Sequence, residues 1–145
     1  MKPQNCGFDI NGVFKLFDFG LATKLTSEKK IQRNQYKLTN NTGTRRYMAP
    51  EVYHGLPYGK PADVFSFAII LWEVLTLQTP FEKETRKSHA EKVYGRMEYR
   101  PRIKMHWPSI LQQLIRDCWS GDTATRPSFD HIEFCLEQSK VSSAR

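Results

Sequence analysis

Residues 62–77 constrain the fold more than any other stretch. They run Ala62 to Leu77 almost wholly apolar, interrupted by Asp63, Ser66 and Glu73. A helix that is apolar nearly all round cannot lie on a surface and belongs in the middle of a core. The stretch falls short of the roughly 18–20 unbroken apolar residues of a membrane span. The rest of the chain must therefore supply a shell around it. Ile110, Leu111, Leu114, Ile115, Cys118 and Trp119 predict an amphipathic helix with one apolar face. Ala90, Val93, Tyr94 and Met97 also fall at helical spacing. Ser128 is placed to cap a last helix with Phe129, Ile132 and Leu136 inward, frayed from Ser139.

The front of the chain reads differently. Phe8 and Ile10 approach Asn11-Gly12, and Val13 to Phe17 leave it, which predicts a β-hairpin. Asn-Gly suits a type I′ turn because both residues tolerate positive φ. The return strand ends at Asp18-Phe19-Gly20. Residues 21–47 are polar and show no periodicity, and a loop that long in a compact domain is functional or mobile. It closes at Met48-Ala49-Pro50-Glu51, with a short helix before Gly55. The predicted order is hairpin, long loop, then four or five helices, a mainly α fold. With 145 residues, 39% of them hydrophobic, the chain can fill one core and not two.

Composition narrows the function. Three cysteines (Cys6, Cys118, Cys135) without a Cys-x-x-Cys argue for reduced thiols rather than a disulfide framework or zinc site. The net charge is +7, but the cations are dispersed and no aromatic interleaving accompanies them. Solvated surface charge is expected, not a nucleic-acid partner. Met1-Lys2-Pro3-Gln4-Asn5 lacks the apolar stretch of a secretory signal, so a cytoplasmic location is expected. Asn40-Asn41-Thr42 matches a glycosylation acceptor, read here as coincidence.

Five separated motifs then occur in order. They are Lys2-Pro3-Gln4-Asn5; Asp18-Phe19-Gly20; Gly43-Thr44 with Tyr47 to Glu51; Asp63 heading the apolar helix; and Cys118-Trp119 with Arg126-Pro127-Ser128-Phe129. Together they resemble the eukaryotic-type protein kinase family, in its tyrosine-kinase-like serine/threonine group. Lys2 to Asn5 looks like the end of the catalytic loop, His-Arg-Asp-x-Lys-x-x-Asn. Each motif alone is weak; five in order are specific. The resemblance covers residues 1–137 as the helical C-terminal lobe, with a small hairpin and a long activation segment, and leaves 138–145 as a tail.

The resemblance implies roles. Asp18 and Asn5 would be oxygen ligands for Mg2+ bridging the phosphates of ATP, consistent with the metal's preference for hard oxygen donors. Lys2 would meet the γ-phosphate as a point charge. Thr44 resembles the threonine that bonds the catalytic aspartate and lysine. Glu51 and Arg126 would form a buried salt bridge tying the activation segment to the helices. Asp63 would accept hydrogen bonds from the catalytic-loop backbone, and Trp72 and Trp119 would be core packing. Arg45 and Arg46 would favour acidic residues near the target hydroxyl of a protein substrate. Thr26, Ser27, Thr39 and Thr42 are candidate regulatory phosphosites, Thr39 and Thr42 foremost, for an upstream kinase. The arginine that usually receives such a phosphate, in His-Arg-Asp, has no counterpart here, and Ala68 replaces a glycine common in relatives.

In the family pattern the catalytic base lies two residues before the lysine, and only Met1 precedes Lys2. The glycine-rich loop and phosphate-anchoring lysine of an N-terminal lobe are also without counterparts. These 145 residues alone are therefore expected to be inactive and to bare apolar surface. A non-catalytic interaction module and an unrelated basic helical binding protein remain the competing readings.

Overall fold

A computed structural model of the chain describes residues 1–39 and 41–143. Asn40 of the acceptor pattern lies outside the described residues, as do the last two residues of the tail. The elements are β1 (Cys6–Phe8), β2 (Phe14–Leu16), β3 (Lys30–Gln32), β4 (Gln35–Tyr36), α1 (Pro50–Tyr53), α2 (Lys60–Thr76), α3 (Arg86–Val93), α4 (Ser109–Cys118) and α5 (Phe129–Ser143). The mainly α class holds, with single 3-10 turns at Pro3–Asn5, Ser27–Lys29 and Arg45–Tyr47.

Helix α2 is the axis of the core. Phe65 and Ile69 are completely buried and Val64, Ala68 and Trp72 nearly so. Burying a side chain of this kind contributes about 1.5–3 kcal/mol. Helix α4 packs on α2 through Leu111, Leu114 and Ile115, and α5 closes over α4 with Ile132 and Cys135. Trp72 and Trp119 are core residues, as the sequence predicts. Trp72 Nε1 also donates to the Arg102 carbonyl at 3.0 Å, so its polar edge is not stranded. The last turn of α2 is less buried than an all-round apolar helix implies: Val74 is 61% exposed and Leu77, which ends the helix in the left-handed region, 90%.

Several local expectations are corrected. The β1–β2 hairpin pairs Cys6 with Leu16 and Phe8 with Phe14, but its turn is not type I′. Only Gly12 has positive φ (74°), and Asn11 does not. The Asp9 carboxylate takes the N–H groups of both Asn11 and Val13 at 2.9 Å, while Gly12 N–H donates to the Asp9 carbonyl. This makes a three-residue loop with a left-handed glycine, and the side chain of Asp9 selects it. The long polar segment holds a second hairpin, β3–β4, that no periodicity announces. Met97 lies beyond the end of α3 and is exposed, because the helix stops at Val93 with Tyr94 as its C-cap. Phe129 is half-exposed, though Ser128 Oγ does accept the His131 N–H at 3.3 Å as a cap should. Helix α5 runs on to Ser143, past Ser139.

Several large apolar side chains at the front of the chain are exposed. Phe8 (72%), Ile10 (99%), Phe14 and Phe17 on the first hairpin, with Phe19 and Leu21 after it, all face solvent.

Candidate active site

The first hairpin returns the chain to its own start. Phe17 N–H donates to the Asn5 carbonyl at 2.8 Å, which extends the β1–β2 ladder by one rung. Asn5 itself is fixed by the 3-10 turn, its N–H bonded to the Lys2 carbonyl at 3.0 Å. As a result Asn5 Nδ2 lies 3.5 Å from Asp18 Oδ2, and the two predicted oxygen ligands meet at the surface. Asp18 sits at φ 56°, a left-handed conformation that few non-glycine residues adopt. Its Oδ1 accepts the Gly20 N–H at 3.3 Å, a short side-chain-to-backbone turn that offsets the cost of that conformation. Lys2 is half-buried at the head of the same turn.

These donors fit magnesium held with a nucleotide. One carboxylate and one amide oxygen are too few for a free-standing site, and among the described residues no cluster of three His, Cys, Asp or Glu side chains could hold a metal. Magnesium takes one or two carboxylates and completes its shell with phosphate oxygens and water, which is what an exposed Asp–Asn pair allows.

The activation segment ends in a fixed frame. Ser66 Oγ on α2 donates to the Tyr47 carbonyl at 2.7 Å, and the Tyr47 hydroxyl donates to Glu73 Oε2 at 2.8 Å. Burial, with that carboxylate beside it, pushes the Tyr47 hydroxyl up to about 12. Glu51 and Arg126 form the predicted pair: two parallel bonds of 2.7 and 3.0 Å, with the arginine side chain 0% and the glutamate 8% exposed. Arg126 donates further to the carbonyls of Ser120 and Pro61, both at 2.9 Å, and lies over the Phe65 ring. All of its hydrogen-bonding edges are used, as a buried charge requires.

Asp63 is 61% exposed in the first turn of α2, with its carboxylate 3.9 Å from the Met1 nitrogen. Thr44 is exposed, and among the described residues no bond joins its hydroxyl to Lys2; its carbonyl instead accepts the Tyr47 N–H, opening the 3-10 turn. Thr39 is exposed, and its carbonyl takes the Thr42 hydroxyl at 2.9 Å and the Tyr58 hydroxyl at 2.7 Å.

Sequence reasoning missed three residues near this frame. Arg100 donates to the carbonyls of Trp119 and Val93 and also lies over the Phe65 ring, its pKa drawn down to about 10 by burial. His89 is buried with both ring nitrogens unpartnered among the described residues, and burial, then the positive charge of Arg46, holds its pKa below the usual range. Arg86 lines the same groove as Arg45 and Arg46. Each sits in a stretch where charged and polar neighbours hide its direction; the i, i+4 spacing of His89 and Val93 on α3 was the one available signal for His89.

Comparison with known proteins fits this geometry. The sequence pattern of the protein kinase domain matches residues 1–135. The chain belongs to the protein kinase family. It is 38% identical to the serine/threonine-protein kinase STY17 of Arabidopsis thaliana over 138 residues, covering 95% of this chain and 23% of that protein. It is 39% identical to the dual specificity protein kinase shkB of Dictyostelium discoideum over 134 residues, covering 91% and 20%. Against mitogen-activated protein kinase kinase kinase 7 of Homo sapiens the identity is 35% over 133 residues, covering 91% and 20%. The kinase chain thus spans about a fifth of the length of these relatives, and they place it in the tyrosine-kinase-like group.

Proposed function

We propose that the protein transfers the γ-phosphoryl group of Mg-ATP to a serine or threonine hydroxyl of a protein substrate. Residues 1–137 serve as the helical lobe of the kinase domain and 138–145 as its tail. The observation that carries this reading is the meeting of Asn5 and Asp18, 3.5 Å apart at the open end of the first hairpin. Phosphoryl transfer asks a protein mainly for positioning and for stabilising negative charge. Asp18 and Asn5 would hold magnesium, which when bound neutralises phosphate charge. Lys2 supplies a further cation on the same turn. Gly43-Thr44 and the Tyr47–Ser66 tie hold the loop against which a substrate peptide would lie. Lys2 with Gly43-Thr44 favours serine and threonine over tyrosine, and two of the three relatives carry serine/threonine kinase or kinase-of-kinases names while the third is called dual-specific. Thr39 and Thr42 are proposed as sites for an upstream kinase, and a cytoplasmic location is proposed with them.

Residues 1–145 as a separate polypeptide are proposed to be inactive. They contain no aspartate two positions before Lys2 and no nucleotide-covering loop. Lack of a general base alone costs about 10²–10⁴ in rate, and lack of nucleotide positioning costs more. The bare hairpin face favours a second reading, a non-catalytic module that binds a partner there.

The test is a chimera. The STY17 kinase domain up to its catalytic-loop aspartate is joined to residues 1–145 of this chain. Transfer of labelled phosphate to a generic serine substrate is expected, with at least about a hundredfold loss on Asp18→Asn. A folded, nucleotide-stabilised chimera without transfer would overturn the kinase reading. Transfer by the 145-residue polypeptide alone would overturn the proposal that it is inactive.

A further inference from the structure

Beside the metal-binding pair lies a groove of about 620 Å³. Gln4, the neighbour of Asn5, forms one end. Thr44, Arg45 and Arg46 form its floor, and Arg86 reaches it from the first turn of α3. Two distant parts of the chain thus bring three arginine residues to the lining of one cleft. No Asp or Glu is among the residues lining it. Among the described residues no ion pair involves Arg45, Arg46 or Arg86. Arg126 is the arginine that this structure pairs with a carboxylate, whereas the three arginines of the groove share one lining that holds no countercharge.

The arginines are also held in place. The Arg45 carbonyl accepts the Tyr94 hydroxyl at 2.5 Å, and its guanidinium lies over the Tyr53 ring at 5.9 Å. Tyr53 and Tyr94 are themselves stacked with centroids 4.1 Å apart. Arg46 stands beside the buried Tyr47 hydroxyl, which is anchored to Glu73. The α3 N-terminus adds the positive end of a helix dipole to the same wall, with Thr85 as its cap. An extended peptide advances about 3.3 Å per residue. A chain whose hydroxyl sits at Asn5 and Asp18 therefore reaches the groove within a few residues.

We infer that this groove selects substrates carrying an anionic side chain, carboxylate or phosphate, within a few residues of the accepting hydroxyl. The inference rests on the kinase reading for where the hydroxyl sits, and its charge selectivity is measurable without catalysis. Arginine suits either anion because its planar fork donates two parallel bonds. One element alone does not make the site: Arg45 and Arg86 must act together.

Fluorescent serine peptides of one backbone sequence, differing only in flanking residues, are titrated with the 145-residue chain by anisotropy. The flanks are glutamate, glutamine, lysine or phosphoserine. The glutamate or phosphoserine peptide is expected to bind about fivefold to tenfold tighter than the glutamine peptide, and the lysine peptide weakest. The preference should shrink as salt rises. Arg45→Gln with Arg86→Gln should cut it below about twofold with the circular dichroism spectrum unchanged. A stronger effect of phosphoserine than of glutamate would assign the groove to already phosphorylated substrates. Equal binding of the glutamate and glutamine peptides, no measurable binding of any peptide, or a preference untouched by the double variant would overturn the inference. A chimera that transfers phosphate without charge preference would sink this inference alone; selective binding with an inactive chimera would sink the kinase reading alone.

Discussion

Replacing Glu51 with alanine leaves the Arg126 guanidinium buried with no countercharge. Two of its four bonds go, those of 2.7 and 3.0 Å to the carboxylate, and the two to the Ser120 and Pro61 carbonyls remain. With the arginine side chain 0% exposed, water cannot take the carboxylate's place without opening the core. Breaking a buried pair in this way costs about 3–5 kcal/mol; the two surviving carbonyl bonds point to the lower half of that range. Against a total of about 5–15 kcal/mol for a domain, this is a large share. Removing both charges is a different perturbation. Glu51→Leu with Arg126→Met leaves no stranded ion, so the double variant should be more stable than Glu51→Ala. Urea unfolding followed by tryptophan fluorescence reads this directly, because buried Trp119 adjoins Ser120. A loss below about 1 kcal/mol for Glu51→Ala, or a double variant no better than the single one, would refute the argument that an uncompensated charge dominates.

Other outcomes follow from the same structure. His89 has its pKa lowered by burial, so the unfolded chain binds a proton that the folded chain refuses; stability is full above about pH 6.5 and is lost as pH falls from there toward the depressed value. His89→Phe should flatten that limb of the pH–stability curve, and an unchanged slope would assign it to another group. A Cβ at Gly59 would lie 2.5 Å from the Asn34 carbonyl oxygen, so Gly59→Ala should push the β3–β4 turn off the start of α2 at about 1–3 kcal/mol, seen as faster tryptic cleavage at Arg33. The bare hairpin should bind a hydrophobic dye, and Ile10→Ser with Phe14→Ser should remove most of that signal; equal dye binding would place the apolar patch elsewhere.

What the sequence made legible was whatever rested on periodicity or on charge placed in an apolar setting. Residues 62–77 and 110–119 declared α2 and α4 because burial repeats along a helix. Glu51 and Arg126 could be paired because the resemblance supplied a partner across the whole chain. Asn5 and Asp18 were legible because a hairpin must bring its ends together. The turn at Asp9–Val13 was misread because a single carboxylate, choosing among nearby N–H groups, outweighs the Asn-Gly preference. The β3–β4 hairpin was invisible because its strands are three and two residues long, with one apolar or aromatic residue each (Ile31, Tyr36), too short for alternation to mark them. Asp63 and Thr44 stand at the exposed rims of their elements, in the places that the resemblance gives them.

The stitching of the activation segment divides it mechanically. Tyr36 and Tyr58 exchange backbone bonds of 2.9 and 3.2 Å, the Tyr58 hydroxyl reaches Thr39, and Asn41 N–H reaches the Val52 carbonyl. Upstream of that seam, among the described residues, the hydrogen bonds of residues 20–28 stay within residues 18–30. A pull starting at Asp18 would therefore uncoil slack before it reached the wall that carries Arg45 and Arg46. Tyr36 thus marks the boundary between a front half tied only to itself and a back half tied to the helices.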